Sequence, residues 1–134
     1  MRGYLLLLFA LLGALAWADS PTRAKQHYQL HCMGCHGEDG AGLDGQVPSL
    51  RGTLSRISNG ELGRDYVLRV PGVTQSSLTS AELAEVLNWA VYEFSDAEAA
   101  KATRPFTAAE VEAARSKPLL EINATRARVL SEAG

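Results

Sequence analysis

Clustered Lys and Arg, period-two apolar alternation and a second long hydrophobic run are all missing from this 134-residue chain, and each absence removes a class of function. Its 13 basic residues are scattered among 15 acidic ones for a formal net charge of −2, so the positive patch that a phosphate backbone needs is not there and no nucleic-acid partner is expected. Without alternating apolar and polar positions no strand is expected, and the fold class predicted is all-α. No paired carboxylates or activated nucleophile can be read along the chain either, so nothing in it points to acid–base or nucleophilic catalysis.

The one long apolar run is at the start. Arg2 is followed by apolar residues from Tyr4 to Leu12 and then by small residues ending Ala16-Trp17-Ala18. A basic start, a short apolar stretch and an A-x-A ending are the parts of a secretory signal peptide, with cleavage expected after Ala18. An uncleaved anchor would need about 20 apolar residues to cross a bilayer, more than this stretch offers. Residues 1–18 are therefore expected to leave, and the remainder to be exported to the periplasm of a bacterial cell with no membrane attachment. Arg2 leaves with the leader, so 12 basic residues face 15 acidic ones in the rest.

Helical spacing dominates that remainder. Ala24, His27, Tyr28 and His31 recur at three- and four-residue steps over 21–31. Five glycines between Gly34 and Gly45 predict a loop bending closely around something flat, and a polar stretch runs on to Gly60. Residues 61–70 form a short amphipathic run ended by Pro71, and 72–78 read as irregular. Thr79 with Glu82 spells a capping box, and Leu78 with Leu83 a hydrophobic staple, predicting a helix over 80–94. The same start signal returns at Phe106, Thr107, Glu110 and Val111, closed by Pro118. Residues 95–105 read as a linker. A last helix over 119–132 presents Leu120, Ala124, Ala127 and Leu130. This divides the chain into a domain over 19–95 and a helical extension over 96–134.

The chemistry concentrates in Cys32-Met33-Gly34-Cys35-His36, which holds the only two cysteines. A zinc site needs four well-spread ligands, and His27, His31 and His36 are badly aimed to complete one tetrahedron with this pair. A thioredoxin-like dithiol needs a βαβ setting that the helical pattern does not supply. Covalent haem attachment needs export, two thiols at this spacing and a histidine directly after them, and all three are present.

The surrounding residues resemble class I c-type cytochromes, the small mono-haem soluble cytochromes c. Cys35-His36-Gly37-Glu38-Asp39-Gly40-Ala41-Gly42 is similar to the C-H-G-x-x-G-x-G run of bacterial members, and Pro48 with Leu50 to the family's Pro-x-Leu. Tyr28 and Trp89 resemble the aromatics at the contact of first and last helices, with Ala24 where glycine is usual. The resemblance spans about 20–95 and implies a haem domain of three to four helices with a C-terminal two-helix extension. It implies one haem c on Cys32 and Cys35, His36 as axial iron ligand, and the Pro48 carbonyl as acceptor for the free ring nitrogen of His36. It also implies electron transfer between a dehydrogenase or reductase and a downstream acceptor, through redox partner proteins of unspecified identity.

One part of that pattern is missing. The family's second axial ligand is a methionine from the segment before the last helix, and here that segment reads Arg69-Val70-Pro71-Gly72-Val73-Thr74-Gln75. The only methionines are Met1, in the leader, and Met33, inside the attachment motif. The sixth ligand is thus unassigned: Gln75 is a weak candidate, Tyr66 another, and His27 and His31 read as surface or packing residues. An open sixth position would admit small ligands such as NO, CO or peroxide, with Arg64 or Arg69 in reach as a distal proton shuttle if not simply surface charges; a haem subunit docked on a partner enzyme is the other alternative. Arg51 and Arg56 read equally as propionate partners or surface residues, and Glu38, Asp39 and Asp44 as a solvated acidic loop.

Overall fold

A computed structural model describes residues 20–134. The expected leader, residues 1–18, lies outside them. Among the described residues the chain is helical, with an isolated bridge between Leu43 and Val47 as its only β pairing. In chain order the helices are α1 Ser20–His31, α2 Met33–His36, α3 Thr53–Ser58, α4 Glu61–Arg69, α5 Pro71–Thr74, α6 Ser80–Phe94, α7 Ala97–Ala102, α8 Ala108–Arg115 and α9 Ile122–Glu132.

The long central helix α6 begins where the capping box predicts. Thr79 Oγ1 accepts from Glu82 N at 3.2 Å and Glu82 Oε2 accepts from Thr79 N at 2.9 Å, which satisfies two amide donors at the helix start. Its apolar face, Leu83, Val86, Leu87, Ala90, Val91 and Phe94, is buried. Helix α1 packs across it through an aromatic cluster: the Tyr28 ring lies 5.1 Å from Trp89 and 5.3 Å from Phe94, and Ala24 is buried one turn earlier on the same face.

Three expectations about local structure are corrected. The polar stretch before Gly60 contains α3, which starts from Gly52 in the left-handed region at φ 62° and has no side-chain cap to announce it. Residues 72–78 are not wholly irregular, because Pro71 opens the single turn α5, its fixed φ suiting the first helical position. Residues 95–105 are not a bare linker, because Asp96 caps α7 by accepting from Glu98 N and Ala99 N at 3.1 and 2.9 Å. The extension accordingly holds three helices rather than two.

That extension shares the core of the rest. Phe106, Val111, Ala114 and Val129 are buried in one cluster with Tyr28, Tyr66 and the α6 face. Bonds to the backbone stitch the two parts together: the Asn88 side chain donates through Nδ2 to Phe106 O at 2.9 Å and accepts through Oδ1 from Phe106 N at 2.7 Å, and Leu119 N donates to Arg69 O at 3.0 Å.

The strongest stitch is Arg64. Instead of lying at the surface, its side chain is 4% exposed. Nε and Nη2 donate to the two Glu110 oxygens at 2.9 Å each, Nη1 and Nη2 donate to the carbonyls of Arg104 and Pro105 at 2.7 and 2.8 Å, and the guanidinium lies 4.2 Å from the Phe106 ring centre. Those bonds, first among them the pair with Arg64, hold the Glu110 carboxyl down to about 2 from its ordinary 4.5. In the unfolded chain Glu110 takes up a proton near 4.5, but in the folded protein only near 2. The stabilisation is therefore fully present above 4.5 and declines as pH falls towards 2. Urea unfolding across that window should show the wild type losing stability on acidification, and Glu110→Gln losing part of that slope; an unchanged slope in the variant contradicts the assignment.

Candidate functional site

Helix α1 runs directly into the cysteine pair, with Cys32 N donating to Tyr28 O at 2.8 Å. One further turn folds Cys35 and His36 back over it, as both their amides donate to Cys32 O, at 3.2 and 3.0 Å. Two sulfurs and an imidazole thus come to one wall. Gly37 then reverses the chain at φ 79°, where Tyr28 Oη donates to its carbonyl at 2.6 Å. Burial, and next the neighbouring Cys32, push the Tyr28 hydroxyl up to about 12, so it stays a donor across the working pH range.

The glycine-rich loop returns to this wall. At Gly42, φ 75°, a side chain would collide with the Val47 and Pro48 carbonyls, so only glycine lets the strand of chain at 47–48 come this close. That approach sets Pro48 O 3.3 Å from His36 Nδ1. A carbonyl only accepts, so Nδ1 carries the proton and Nε2 is left with its lone pair free. Burial lowers the His36 pKa and the Pro48 bond opposes it in part, the balance favouring the neutral ring.

Cys32, Cys35 and His36 line a cavity of about 740 Å3, in the range of cofactor pockets, whose walls are largely aliphatic. The lining also takes in Tyr66 and Val67 of α4, then Val70, Pro71 and Val73. Helix α9 closes the remaining side with Ile122, Arg126, Val129 and Leu130. A flat apolar tetrapyrrole with two reactive edge positions suits this donor set: two thiols and one neutral imidazole on a single face of an apolar slot. Among the described residues there is no cluster of His, Cys, Asp and Glu to hold a separate metal ion.

The Cytochrome c family profile matches residues 21–105, more than half the chain. The chain belongs to the cytochrome c family. Cytochrome c-552 of Thermus thermophilus is 36% identical to it over 132 residues, covering 85% of this chain and 87% of that protein. A second Thermus thermophilus sequence of the same name is 35% identical over 106 residues, covering 66% of this chain and 81% of its own length. No solved structure gives a significant match. As a cytochrome c the protein is a haem c carrier of electrons with an all-α fold, and the Cys32/Cys35 spacing is the one that covalent attachment needs. At 85% of this chain, that match runs past the end of the 21–105 covered by the profile.

The structure sorts the other expected site residues of this cytochrome. Tyr66 is buried and lines the cavity. Gln75 is exposed and outside the lining. His31 sits exposed at the rim, while His27 is 3.7 Å from Glu82 between α1 and α6. Arg51 is engaged by Asp39, donating to both its carbonyl and its carboxylate. Arg56 is exposed yet borders the cavity, its Nη1 3.4 Å from Ala133 O. Arg64 and Arg69 both lie outside the lining; Arg69 pairs with Asp65 at 2.7 Å and donates to Lys117 O. Glu38 and Asp44 are exposed.

Arg126 is the site residue that sequence reasoning missed. The expected face of the last helix, Leu120, Ala124, Ala127 and Leu130, is mostly outward, with Leu120 86% exposed. The inward line is Ile122, Arg126, Val129 and Ala133, steps of four, three and four. A lone arginine in that apolar line was the available signal.

Proposed function

We propose that Cys32 and Cys35 carry the haem through two thioether bonds, that His36 Nε2 is its axial ligand, and that the protein moves single electrons in the periplasm between a dehydrogenase or reductase and a downstream acceptor. The observation that carries the reading is the convergence of both thiols and a neutral imidazole, oriented by the Pro48 carbonyl, on one wall of an apolar cavity. The bound group supplies a one-electron iron couple. The chain supplies the rest. His36, with its proton fixed on Nδ1, is presented as a stronger donor than a freely tumbling ring. The aliphatic walls from α3, α4, α6 and α9 exclude water and so disfavour the form with the extra positive charge. Exposed Cys35 leaves an edge of the site near the surface, where a weak and transient redox partner docks. Export rests on the leader-like start; no helix among the described residues is long and apolar enough to cross a membrane.

The sixth position is read as open to small ligands. The observation favouring this is the distal segment itself, Val70, Pro71 and Val73, which brings no sulfur or nitrogen side chain to the cavity. Without a methionine sulfur the couple is expected at a lower potential than in methionine-ligated relatives. A potentiometric titration of the purified holoprotein tests the carrier role: a single reversible wave with one electron is expected, and an irreversible or multi-electron wave contradicts it.

A further inference from the structure

Two arginines and no carboxylate border the cavity among the described residues. Arg56 stands at the exposed side. Arg126 reaches in from α9, and its Nε donates to Tyr66 Oη at 3.0 Å, where Tyr66 is 5% exposed. Nη1 and Nη2 of Arg126 have no hydrogen-bond partner among the described residues. A tyrosine hydroxyl that accepts one bond still has its own proton to donate. The pair therefore offers a planar cation with spare donors and a phenolic O–H, carried by the mutually packed helices α4 and α9, in a cavity that Val70 and Val73 also line. Such a set recognises negative charge with acceptor atoms, and a guanidinium in apolar surroundings binds it more strongly than one in water.

We propose that Arg126 and Tyr66 form a small-anion site in this cavity, whose guanidinium and hydroxyl would hold a monovalent anion bound at the ferric iron once the haem is in place. The inference rests on the open sixth position argued above. It adds what that position selects: azide- or nitrite-sized anions in the oxidised protein over neutral diatomics in the reduced one.

The test titrates ferric holoprotein with sodium azide, and ferrous holoprotein with CO, for wild type, Arg126→Leu, Arg126→Lys and Tyr66→Phe. Helical circular dichroism and the haem absorption band confirm that each variant is folded and loaded. Azide affinity should fall about tenfold or more in Arg126→Leu, the size expected for a charge-assisted bond, and recover partly in Arg126→Lys. Tyr66→Phe should fall by a smaller factor. CO affinity should stay within about threefold, while the infrared stretch of bound CO rises in Arg126→Leu as the polarising donor is removed. Wild type that binds azide while Arg126→Leu binds it equally well overturns the anion site but leaves the open position standing. Equal losses for azide and CO, with an unmoved CO stretch, also overturn it and assign Arg126 to the propionate edge. Wild type that binds neither ligand overturns both readings.

Discussion

Replacing Cys32 and Cys35 together by serine should give a polypeptide whose mass is that of the chain alone and whose cooperative unfolding is lost. Serine hydroxyls do not add across vinyl groups, so the covalent link fails at both positions at once. The effect on the fold follows from where the cavity lies. Its walls include Tyr28 of α1, Leu54 of α3, Tyr66 and Val67 of α4, Leu83, Val86 and Leu87 of α6 and Val129 of α9, which are also much of the buried core. At about 24 cal/mol per Å3 of unfilled volume, a 740 Å3 void carries a penalty with an upper bound of about 18 kcal/mol, more than the about 5–15 kcal/mol by which domains are stable. Wall collapse reduces that figure but rebuilds the core in doing so. Mass spectrometry and thermal unfolding check both halves of the expectation. A variant that keeps a haem through denaturation, or that melts cooperatively at the wild-type temperature without one, contradicts it.

Arg64→Leu should cost about 1.5–3 kcal/mol, the range for losing hydrogen bonds to a charged group. The guanidinium serves Glu110 and two carbonyls from the turn before α8, all 40 to 46 residues away in sequence. Removing it leaves the Glu110 carboxylate to Arg104 and Thr107 and takes a donor from each of the two carbonyls, and leucine replaces none of the bonds. Because α4 also carries Tyr66 and Val67 to the cavity, loosening its hold on the extension should increase the rate at which the haem band changes on exposure to denaturant. The double variant Arg64→Leu/Glu110→Leu should lose less than the sum of the single losses, since the pair acts as a unit. Denaturant titrations give all three values; a loss in Arg64→Leu below about 1 kcal/mol, the ceiling for surface pairs, would show that this pair behaves as an exposed one.

Much of the site was legible in the sequence because its signals are local. The attachment motif lies within five residues, Cys32 to His36, and the helix over 80–94 is announced by its own capping box. What was not legible depends on distant partners. α3 and α7 were hidden for a different reason: they are six residues each, too short for periodicity, and α7 buries only Ala100. Arg64 looked like a surface charge since nothing near it in sequence reveals a buried role. In α9 the stripe with leucine and alanine looked apolar, whereas the cavity takes only Leu130 from it and adds Ile122, Val129 and an intruding Arg126. Only the fold, which brings Tyr66 within 3.0 Å across 60 residues, makes that arginine intelligible.

The absence of a methionine opposite His36 gives the account its sharpest consequence. Optical and electron paramagnetic resonance spectra of the ferric holoprotein, followed by reduction and exposure to CO, test it directly. A site with His36 on one side and no protein ligand on the other gives a high-spin ferric spectrum and binds CO rapidly once reduced. A low-spin spectrum in both oxidation states, inert to CO, would mean that a side chain of this chain closes the sixth position and would contradict the account.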